Sequence, residues 1–309
     1  MATMLANSEA WPGLATAVSL NNGGSSGIDI IESAIRLIES EPEVHSVGLG
    51  AWPNAAGELE LDACIMDGDS RACGAVGALR GFLHPITIAR RVMEQLPHVF
   101  LAGDGAARFA AEIGAERAEL LTAIAVDRYH QWIDMVTTPE HRGSWPKVPL
   151  ISYAARALEP TDPKGTTVIL TLDDNGSMAA GVSTSGWAWK YPGRLGDSPI
   201  VGAGCYVDSR YGAAACTGKG ELAIRGCTSF SVVAAMRLGM ATREACLQAA
   251  ADLVELEKPF SGVVTIHALS ASGEHHVLRA GGNSEGSYFY WQGNEPGFLK
   301  CAAEKYPAS

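Results

Sequence analysis

The spacing of apolar residues alternates along the chain between helical and strand-like periods. Over residues 25–40, isoleucine and alanine recur every three or four positions behind serine and glycine, which predicts an amphipathic helix. Pro85 opens another such stretch, since proline is favoured in the first turn of a helix. The helices predicted in this way cover residues 25–40, 85–95, 105–113, 115–134, 230–238 and 243–256.

Strand-like patterns occur in both halves of the chain. They predict strands over residues 45–50, 58–66, 166–173, 177–184, 262–269, 275–280 and 287–291. Asn175-Gly176 between two of them is a strong hairpin signal. Because both halves supply strands with one apolar face and helices with one apolar stripe, the pattern predicts a single α/β unit over residues 1–309, with two sheets covered by helices.

A proline-rich segment separates the two halves. Residues 137–165 show no sustained period and contain Pro139, Pro146, Pro149, Pro160 and Pro163. We therefore predict an exposed linker, a kind of segment that tolerates a backbone cut.

Composition narrows the range of partners. With 47% hydrophobic and 18% charged residues, the chain has the make-up of a globular protein. Its net charge of −11, from 34 acidic residues against 23 Lys and Arg, argues against nucleic acid or an anionic membrane as a partner. The sequence shows neither a run of about 18 apolar residues nor the pattern of a signal peptide. The expected location is cytoplasmic.

Cysteine and histidine give no sign of a metal or cofactor site. The seven cysteines are odd in number and never spaced C-x-x-C, so we expect no zinc site and no disulfide framework. We interpret them as small buried apolar residues. His275 and His276 are neighbours on a predicted strand, so their side chains are expected on opposite faces rather than on one metal ion. No cofactor is expected.

Thr166 is a candidate nucleophile because of its position in the sequence. It follows Gly165 at the end of the linker and begins a predicted strand. A cut before it would leave a free α-amine, with a pKa near ~7.7–8.0, beside the threonine hydroxyl. Such an amine can act as the base for the nucleophile of its own residue. Taken alone, however, Gly-Thr before a strand is better explained as an ordinary strand start.

Several spaced motifs favour a catalytic role for Thr166 over an ordinary strand start. The run AAGVSTSGWAWKYPGRLGDSPIVGAGCYVD, residues 179–208, and the TGKGE loop, residues 217–221, resemble signatures of the glycosylasparaginase and isoaspartyl peptidase/asparaginase family. Two first-half blocks, ELELDACIMDG and GAVGALRGFLHPITIARRVME, are similar to the same family. The resemblance implies an N-terminal nucleophile hydrolase with a four-layer αββα sandwich. It also implies a homodimer of the cleaved two-chain unit.

The resemblance assigns the reaction to a few residues. It places the autocleavage between Gly165 and Thr166 and makes Thr166 the nucleophile. Thr184 matches the threonine that hydrogen-bonds and tunes it. The Thr217 hydroxyl and the Gly218 backbone N–H match the oxyanion hole, whose donors stabilise developing negative charge.

The same resemblance implies the residues that hold the substrate. Arg194 matches the residue that clamps the α-carboxylate, and Asp197 the one that accepts from the α-ammonium. Without the surrounding motif, this pair would be better explained as a surface ion pair. Gly220 is expected to allow close backbone approach to the substrate, and Trp11 to line the substrate pocket.

The chain departs from the glycosylasparaginase branch next to the cut. That branch usually has His-Asp before the nucleophile and glycine two residues after it, where this chain has Lys164-Gly165 and Val168. We therefore expect slow processing, and crowding of the pocket by Val168. Glycine before the cut is the pattern of the isoaspartyl peptidase branch, whereas residues 45–68 are closer to glycosylasparaginase.

Three readings follow from these patterns. The leading one is a threonine-nucleophile amidohydrolase that cleaves the side-chain amide of glycosylasparagine and releases aspartate. The second is an isoaspartyl dipeptidase or L-asparaginase. The third, from a different class, is an unprocessed pseudoenzyme that binds aspartyl ligands through Arg194 and Asp197.

Overall fold

The fold consists of two β-sheets and the helices that pack against them. The computed structural model describes residues 1–154, 165–282 and 285–307. The strands of these residues, in chain order, are β1 (Thr3–Asn7), β2 (Leu61–Asp67), β3 (Cys73–Leu79), β4 (Phe100–Ala102), β5 (Thr167–Leu172), β6 (Met178–Thr184), β7 (Cys205–Asp208), β8 (Gly212–Gly218), β9 (Val263–Ser270), β10 (His275–Gly281), β11 (Ser287–Gln292), β12 (Leu299–Ala302) and β13 (Glu304–Tyr306).

The helices lie mostly between the strands of each half. They are α1 (Leu14–Asn22), α2 (Gly27–Glu39), α3 (Pro85–Gln95), α4 (Gly103–Glu112), α5 (Ala123–Val136), α6 (Pro139–Arg142), α7 (Ile151–Ala154), α8 (Gly220–Gly226), α9 (Thr228–Arg237) and α10 (Thr242–Leu256), with a 3-10 helix over Ser8–Gly13. The Ser26 hydroxyl caps α2 by accepting from the Asp29 backbone N–H, which satisfies a donor that the helix leaves unpaired. None of the helices in the described ranges is long and apolar enough to span a membrane.

The strand order of each sheet brings distant segments together. The larger sheet has the order β12-β11-β1-β5-β6-β2-β3-β4, and the smaller one β13-β10-β9-β8-β7. In the larger sheet β5 and β6 are antiparallel, with Thr167 opposite Ser183. In the smaller sheet Thr217 of β8 lies opposite Thr265 of β9. The first residues of β5 and the last residues of β6 therefore meet at one end of the larger sheet.

Buried apolar residues form three large clusters. One joins α2 and α3 to the larger sheet, and it includes Ile31, Ile35 and Ile88. Another joins α9 and α10 to the smaller sheet. A third contains inward-facing residues of both sheets, including Val168 and Ala215. The structure is thus of mixed helix and sheet with two sheets, in agreement with the predicted α/β class.

Most of the predicted elements are confirmed. The structure contains α2, α3, α9, α10 and the β5–β6 hairpin within a few residues of the predicted bounds. The strand predicted over residues 45–50 is wrong, because this stretch forms turns in which Gly48 and Gly50 take positive φ angles. The helix predicted to begin at residue 115 begins instead at Ala123, behind the capping hydroxyl of Thr122.

Two further predictions are only partly right. The described part of the 137–165 linker contains α6 and α7, and its residues 155–164, including Lys164, lie outside the described ranges. All seven cysteines are free. Cys64, Cys205, Cys216 and Cys246 are buried as predicted, whereas Cys227 is exposed.

Candidate active site

Thr166 lies immediately before β5, where its side chain contacts the peptide bond that precedes it. The residue is only 4% exposed. Its hydroxyl donates to the carbonyl oxygen of Gly165 at 2.6 Å and lies 3.5 Å from the hydroxyl of Ser198. The hydroxyl of Thr166 is therefore held against the Gly165 carbonyl group, the group that a cut before Thr166 would transform.

Asn7, the last residue of β1, fixes the backbone on both sides of this position. Its Nδ2 donates to the carbonyl oxygen of Thr166 at 2.6 Å, and its Oδ1 accepts from the Val168 backbone N–H at 2.9 Å. Asn7 is buried. Our sequence reasoning missed both Asn7 and Ser198, although Ser198 directly follows Asp197 in the GDSP run.

Thr184, at the end of β6, reaches the same carbonyl group. Its hydroxyl donates to the carbonyl oxygen of Gly165 and accepts from the Gly186 backbone N–H at 2.9 Å. The hydroxyls of Thr166, just before β5, and of Thr184, at the end of β6, thus converge on one carbonyl oxygen. The structure therefore brings Thr184 into contact with Gly165, although Gly165 and Thr166 lie 19 and 18 residues before it in the sequence.

Thr217 and Gly218 end β8 on the opposite sheet. Thr217 lines the same cleft as Thr166. Gly218 has a φ angle of +111°, and a Cβ at this position would come within 2.1 Å of the Val263 carbonyl oxygen. Only glycine fits such a backbone. The indole N–H of Trp187 donates to the Gly218 carbonyl oxygen at 3.3 Å, which fixes this turn from the other side.

Arg194 is engaged with a carboxylate of the chain itself. Its Nε and Nη2 donate to the two carboxylate oxygens of Glu221, each at 2.9 Å, and its guanidinium lies 4.2 Å from the centre of the Trp187 ring. This bidentate pair leaves Nη1 outside the contact with Glu221. Glu221 and Trp187 therefore orient Arg194, the residue predicted to bind the α-carboxylate of the substrate.

Asp197 is buried close to this pair. It is 3% exposed, and burial raises its pKa to about 7, against the lowering effect of Arg194. Within the described residues its Oδ2 has no hydrogen-bond partner. A Cβ on Gly220 would come within 2.6 Å of Asp197 Oδ1, so this glycine makes room for Asp197.

A buried charged cluster supports the loop that carries Arg194. The ammonium group of Lys190 lies 3.9 Å from Glu60 and 3.8 Å from Asp62, and all three side chains are buried. Burial raises the pKa of Asp62. Despite its burial, Glu60 has a lowered pKa because Arg80 and the Gly193 backbone N–H donate to it. The sequence reasoning did not single out this cluster.

A polar cleft of about 390 Å³ opens at Thr166. It is lined by residues from the N-terminal segment, both sheets and the C-terminal strands: Asn7, Ser8, Glu9, Trp11, Glu43, Gly165, Thr166, Thr217, Thr265, His267, Arg279, Glu285, Gly286, Ser287 and Lys300. Trp11 lines it with a side chain that is 48% exposed. Val168 packs in the core between the sheets instead, so the expectation that it crowds the pocket is wrong.

The lining of this cleft does not include all predicted site residues. Thr166, Thr217, Gly165 and Trp11 belong to it, whereas Arg194 and Asp197 are not among its lining residues. In the part of the chain that the structure describes, no group of three or more His, Cys, Asp or Glu residues is arranged to hold a metal ion.

Comparisons with known proteins agree with the motifs. A profile of the family described as Asparaginase matches residues 13–292. An N(4)-(beta-N-acetylglucosaminyl)-L-asparaginase from Elizabethkingia miricola is 38% identical over 251 residues, 81% of this chain and 66% of that protein. This chain therefore spans just under two thirds of the length of that relative.

Relatives from both branches of the family match at comparable identity. An isoaspartyl peptidase from Salmonella typhimurium is 35% identical over 275 residues, 87% of this chain and 81% of that protein. An N(4)-(beta-N-acetylglucosaminyl)-L-asparaginase from Mus musculus is 34% identical over 268 residues, 81% of this chain and 76% of that protein. Sequence identity alone thus does not choose between the two activities.

Proposed function

Because this chain belongs to the asparaginase family and is an amidohydrolase of asparagine-type substrates, we propose that Thr166 is its nucleophile, exposed by self-cleavage of the Gly165–Thr166 bond. The observation that carries the proposal is the contact of two hydroxyls, those of Thr166 and Thr184, with the Gly165 carbonyl group. A hydroxyl nucleophile and a hydrogen-bond donor at one carbonyl are the parts that an acyl transfer needs.

Self-cleavage then follows as an internal acyl transfer. The Thr166 hydroxyl oxygen attacks the carbonyl carbon of Gly165, while the Thr184 hydroxyl stabilises the charge that develops on the carbonyl oxygen. The C–N bond breaks, the nitrogen takes up a proton, and an ester joins Gly165 to the Thr166 side chain. Water hydrolyses this ester. The products are a carboxylate at Gly165 and a free α-amine on Thr166.

The mature site uses that amine as the base. It takes the proton of the Thr166 hydroxyl, whose oxygen attacks the side-chain carbonyl carbon of the substrate. The Thr217 hydroxyl and the Gly218 backbone N–H are proposed to stabilise the tetrahedral intermediate. The substrate amine leaves with the proton, and water hydrolyses the resulting ester to release aspartate. Each step needs only groups of this chain, the substrate and water.

Recognition of the aspartyl group is assigned to Arg194 and Asp197. The Arg194 guanidinium is oriented by Glu221, and its Nη1 is left for the α-carboxylate of a substrate. Asp197 is placed to accept from the α-ammonium group once it is ionised, because a nearby cation favours its charged form. An aspartyl group with free α-amine and α-carboxylate matches this pair.

We infer glycosylasparagine as the preferred substrate. The first-half motif over residues 45–68 and the position of Trp11 on the cleft support this choice. Isoaspartyl dipeptide or L-asparagine hydrolysis is the second candidate, supported by the glycine that precedes Thr166 and by the isoaspartyl peptidase relatives. An unprocessed pseudoenzyme that binds aspartyl ligands is the third.

We also propose the order of the layers and the organisation of the cleaved chains. The three apolar clusters support a four-layer αββα order, with helices outside and two sheets inside. We propose one structural unit over residues 1–309, cut into chains of residues 1–165 and 166–309. Two such cleaved units are expected to form a homodimer.

Substrate profiling tests the proposed activity. The values of kcat/KM for glycosylasparagine, a β-aspartyl dipeptide and L-asparagine are to be compared on the purified, fully processed protein. Glycosylasparagine is expected to give the highest value. A higher value for the dipeptide or asparagine would move the enzyme to the other branch, and no hydrolysis of any of the three would favour the pseudoenzyme.

A further inference from the structure

The cleft at Thr166 is lined by residues other than those of the proposed aspartyl clamp, Arg194 and Asp197. It shares Thr166 and Thr217 with the reaction site, but Arg194, Asp197 and Glu221 are not among its lining residues. A substrate whose α-groups contact Arg194 and Asp197, and whose amide carbon lies at Thr166, directs its leaving group into this cleft. The cleft is then the leaving-group site, an inference that rests on the proposed function.

The residues of the smaller sheet that line this cleft come from two neighbouring rows. Thr217, Thr265 and Arg279 lie side by side across β8, β9 and β10. The neighbouring row on the same face is formed by Ala215, His267 and Val277, because residues two apart on a strand share a face. His267 is thus the diagonal neighbour of Thr217, at a typical separation of about 7–8 Å.

His267 differs from its neighbours in this row. Its side chain is flanked by the small Ala215 on one strand and the apolar Val277 on the other. It is 1% exposed and still lines the cleft. Within the described residues its Nδ1 has no hydrogen-bond partner. A buried polar atom without a partner, next to a cleft that holds the nucleophile, is a position where a ligand is expected to supply the missing hydrogen bond.

The protonation state of His267 fixes the kind of ligand group that it suits. Burial lowers its pKa to about 4, so the imidazole is neutral near pH 7. A neutral imidazole offers one donor and one acceptor but no charge. It therefore complements a hydroxyl or an amide, and it adds no charge–charge attraction for the carboxylate of a peptide leaving group.

We propose that His267 is a specificity determinant for the leaving group, and that it forms a hydrogen bond to an uncharged hydroxyl or amide of a substituent on the substrate amide nitrogen. Ammonia, the leaving group of asparagine, is too small to fill a cleft of about 390 Å³ and make this contact. A sugar-type substituent carries hydroxyl groups that can extend from the reacting nitrogen into the cleft. His267 would thus favour a substrate with such a substituent over L-asparagine.

Wild type and two variants, His267→Ala and His267→Asn, test this proposal, and a third variant serves as the control. The ratio of kcat/KM for glycosylasparagine to kcat/KM for L-asparagine is to be measured for each. Loss of the hydrogen bond in His267→Ala is expected to lower this ratio about tenfold. His267→Asn, whose amide lies near the place of Nδ1, is expected to restore most of it. His98→Ala, a change at an exposed histidine, is the matched control and is expected to keep the wild-type ratio.

The possible outcomes distinguish a failure of the role given to His267 from a failure of the proposed hydrolase activity. If the ratio stays the same in His267→Ala, or if both variants fail to self-cleave, His267 has a structural role and the inference is overturned while the proposed function stands. If wild-type protein hydrolyses none of the substrates, the proposed function itself fails. A lowered ratio in His267→Ala, together with its recovery in His267→Asn, supports the inference.

Discussion

The hydroxyls of Thr166 and Thr184 donate to the same acceptor, the carbonyl oxygen of Gly165. Thr166 directly precedes β5 and Thr184 ends β6, the antiparallel strand beside it, where Thr167 lies opposite Ser183. One hydroxyl belongs to the residue that follows the peptide bond, and the other approaches from the strand beside it. This arrangement gives the bond before Thr166 both an attacking oxygen and a donor for developing charge.

Replacing Thr184 by valine is expected to slow self-cleavage about 100-fold. The substitution keeps the branched shape but removes the donor to the Gly165 carbonyl oxygen, and loss of such a donor typically costs roughly 10²–10³ in rate. The measurement is a time course of intact mass on freshly purified protein.

Thr171→Val is the matched control for this change. Thr171 is a buried threonine on β5 whose hydroxyl has no hydrogen-bond partner within the described residues. Removing an unpaired buried hydroxyl is expected to be neutral or slightly stabilising. If Thr184→Val processes as fast as Thr171→Val and wild type, Thr184 does not assist the cut.

Asp197 is expected to lower the stability of the folded protein as the pH rises. Its folded pKa of about 7 exceeds the ordinary value of 3.8, so between these values the folded state binds more protons than the unfolded state. The free energy of unfolding therefore falls between about pH 4 and pH 7 and is level outside this window. A difference of about three pKa units corresponds to roughly 4 kcal/mol. Urea unfolding of wild type and Asp197→Asn at several pH values measures this, and the variant should lose the decline.

Asp208→Asn provides a contrast of opposite sign. Hydrogen bonds from Arg210 lower the pKa of Asp208, so this carboxylate stabilises the folded state above its unfolded pKa and loses that contribution as the pH falls. Removing it should flatten the acid side of the profile only. Identical profiles for Asp197→Asn and wild type would contradict the buried, protonated state of Asp197.

Arg194→Lys is expected to raise KM for aspartyl substrates by about one order of magnitude or more, with a smaller effect on kcat. Lysine cannot make the bidentate contact with Glu221 or stack its planar group on Trp187, so the cation loses its orientation. Steady-state kinetics on processed enzyme measure the split between KM and kcat. Arg210→Lys, at an exposed bidentate pair, is the control, and an equal effect of both changes would contradict a substrate role for Arg194.

The local parts of the fold could be predicted from the sequence. The helix start at Ser26 and the Asn175-Gly176 hairpin rest on residues a few positions apart. β1 was missed because its five residues are buried on both faces and show no alternation, so Asn7 was missed with it. The helix start at Thr122 had a readable capping signal that we did not use.

The composition of the site is harder to predict because it depends on pairing over long distances. The motifs singled out Arg194, but not its pairing with Glu221, 27 residues away in the first turn of α8. His267 was overlooked because only the register of β8, β9 and β10 places it beside the cleft. The burial that raises the pKa of Asp197 likewise comes from packing and not from local sequence.

Intact mass of the recombinant chain tests the central claim most directly. Wild-type protein and Thr166→Ala are to be incubated near neutral pH and weighed over time. The account predicts that wild type separates into fragments of residues 1–165 and 166–309, and that Thr166→Ala stays whole. A wild-type chain that stays whole, a cut at another bond, or equal cleavage of Thr166→Ala would contradict it.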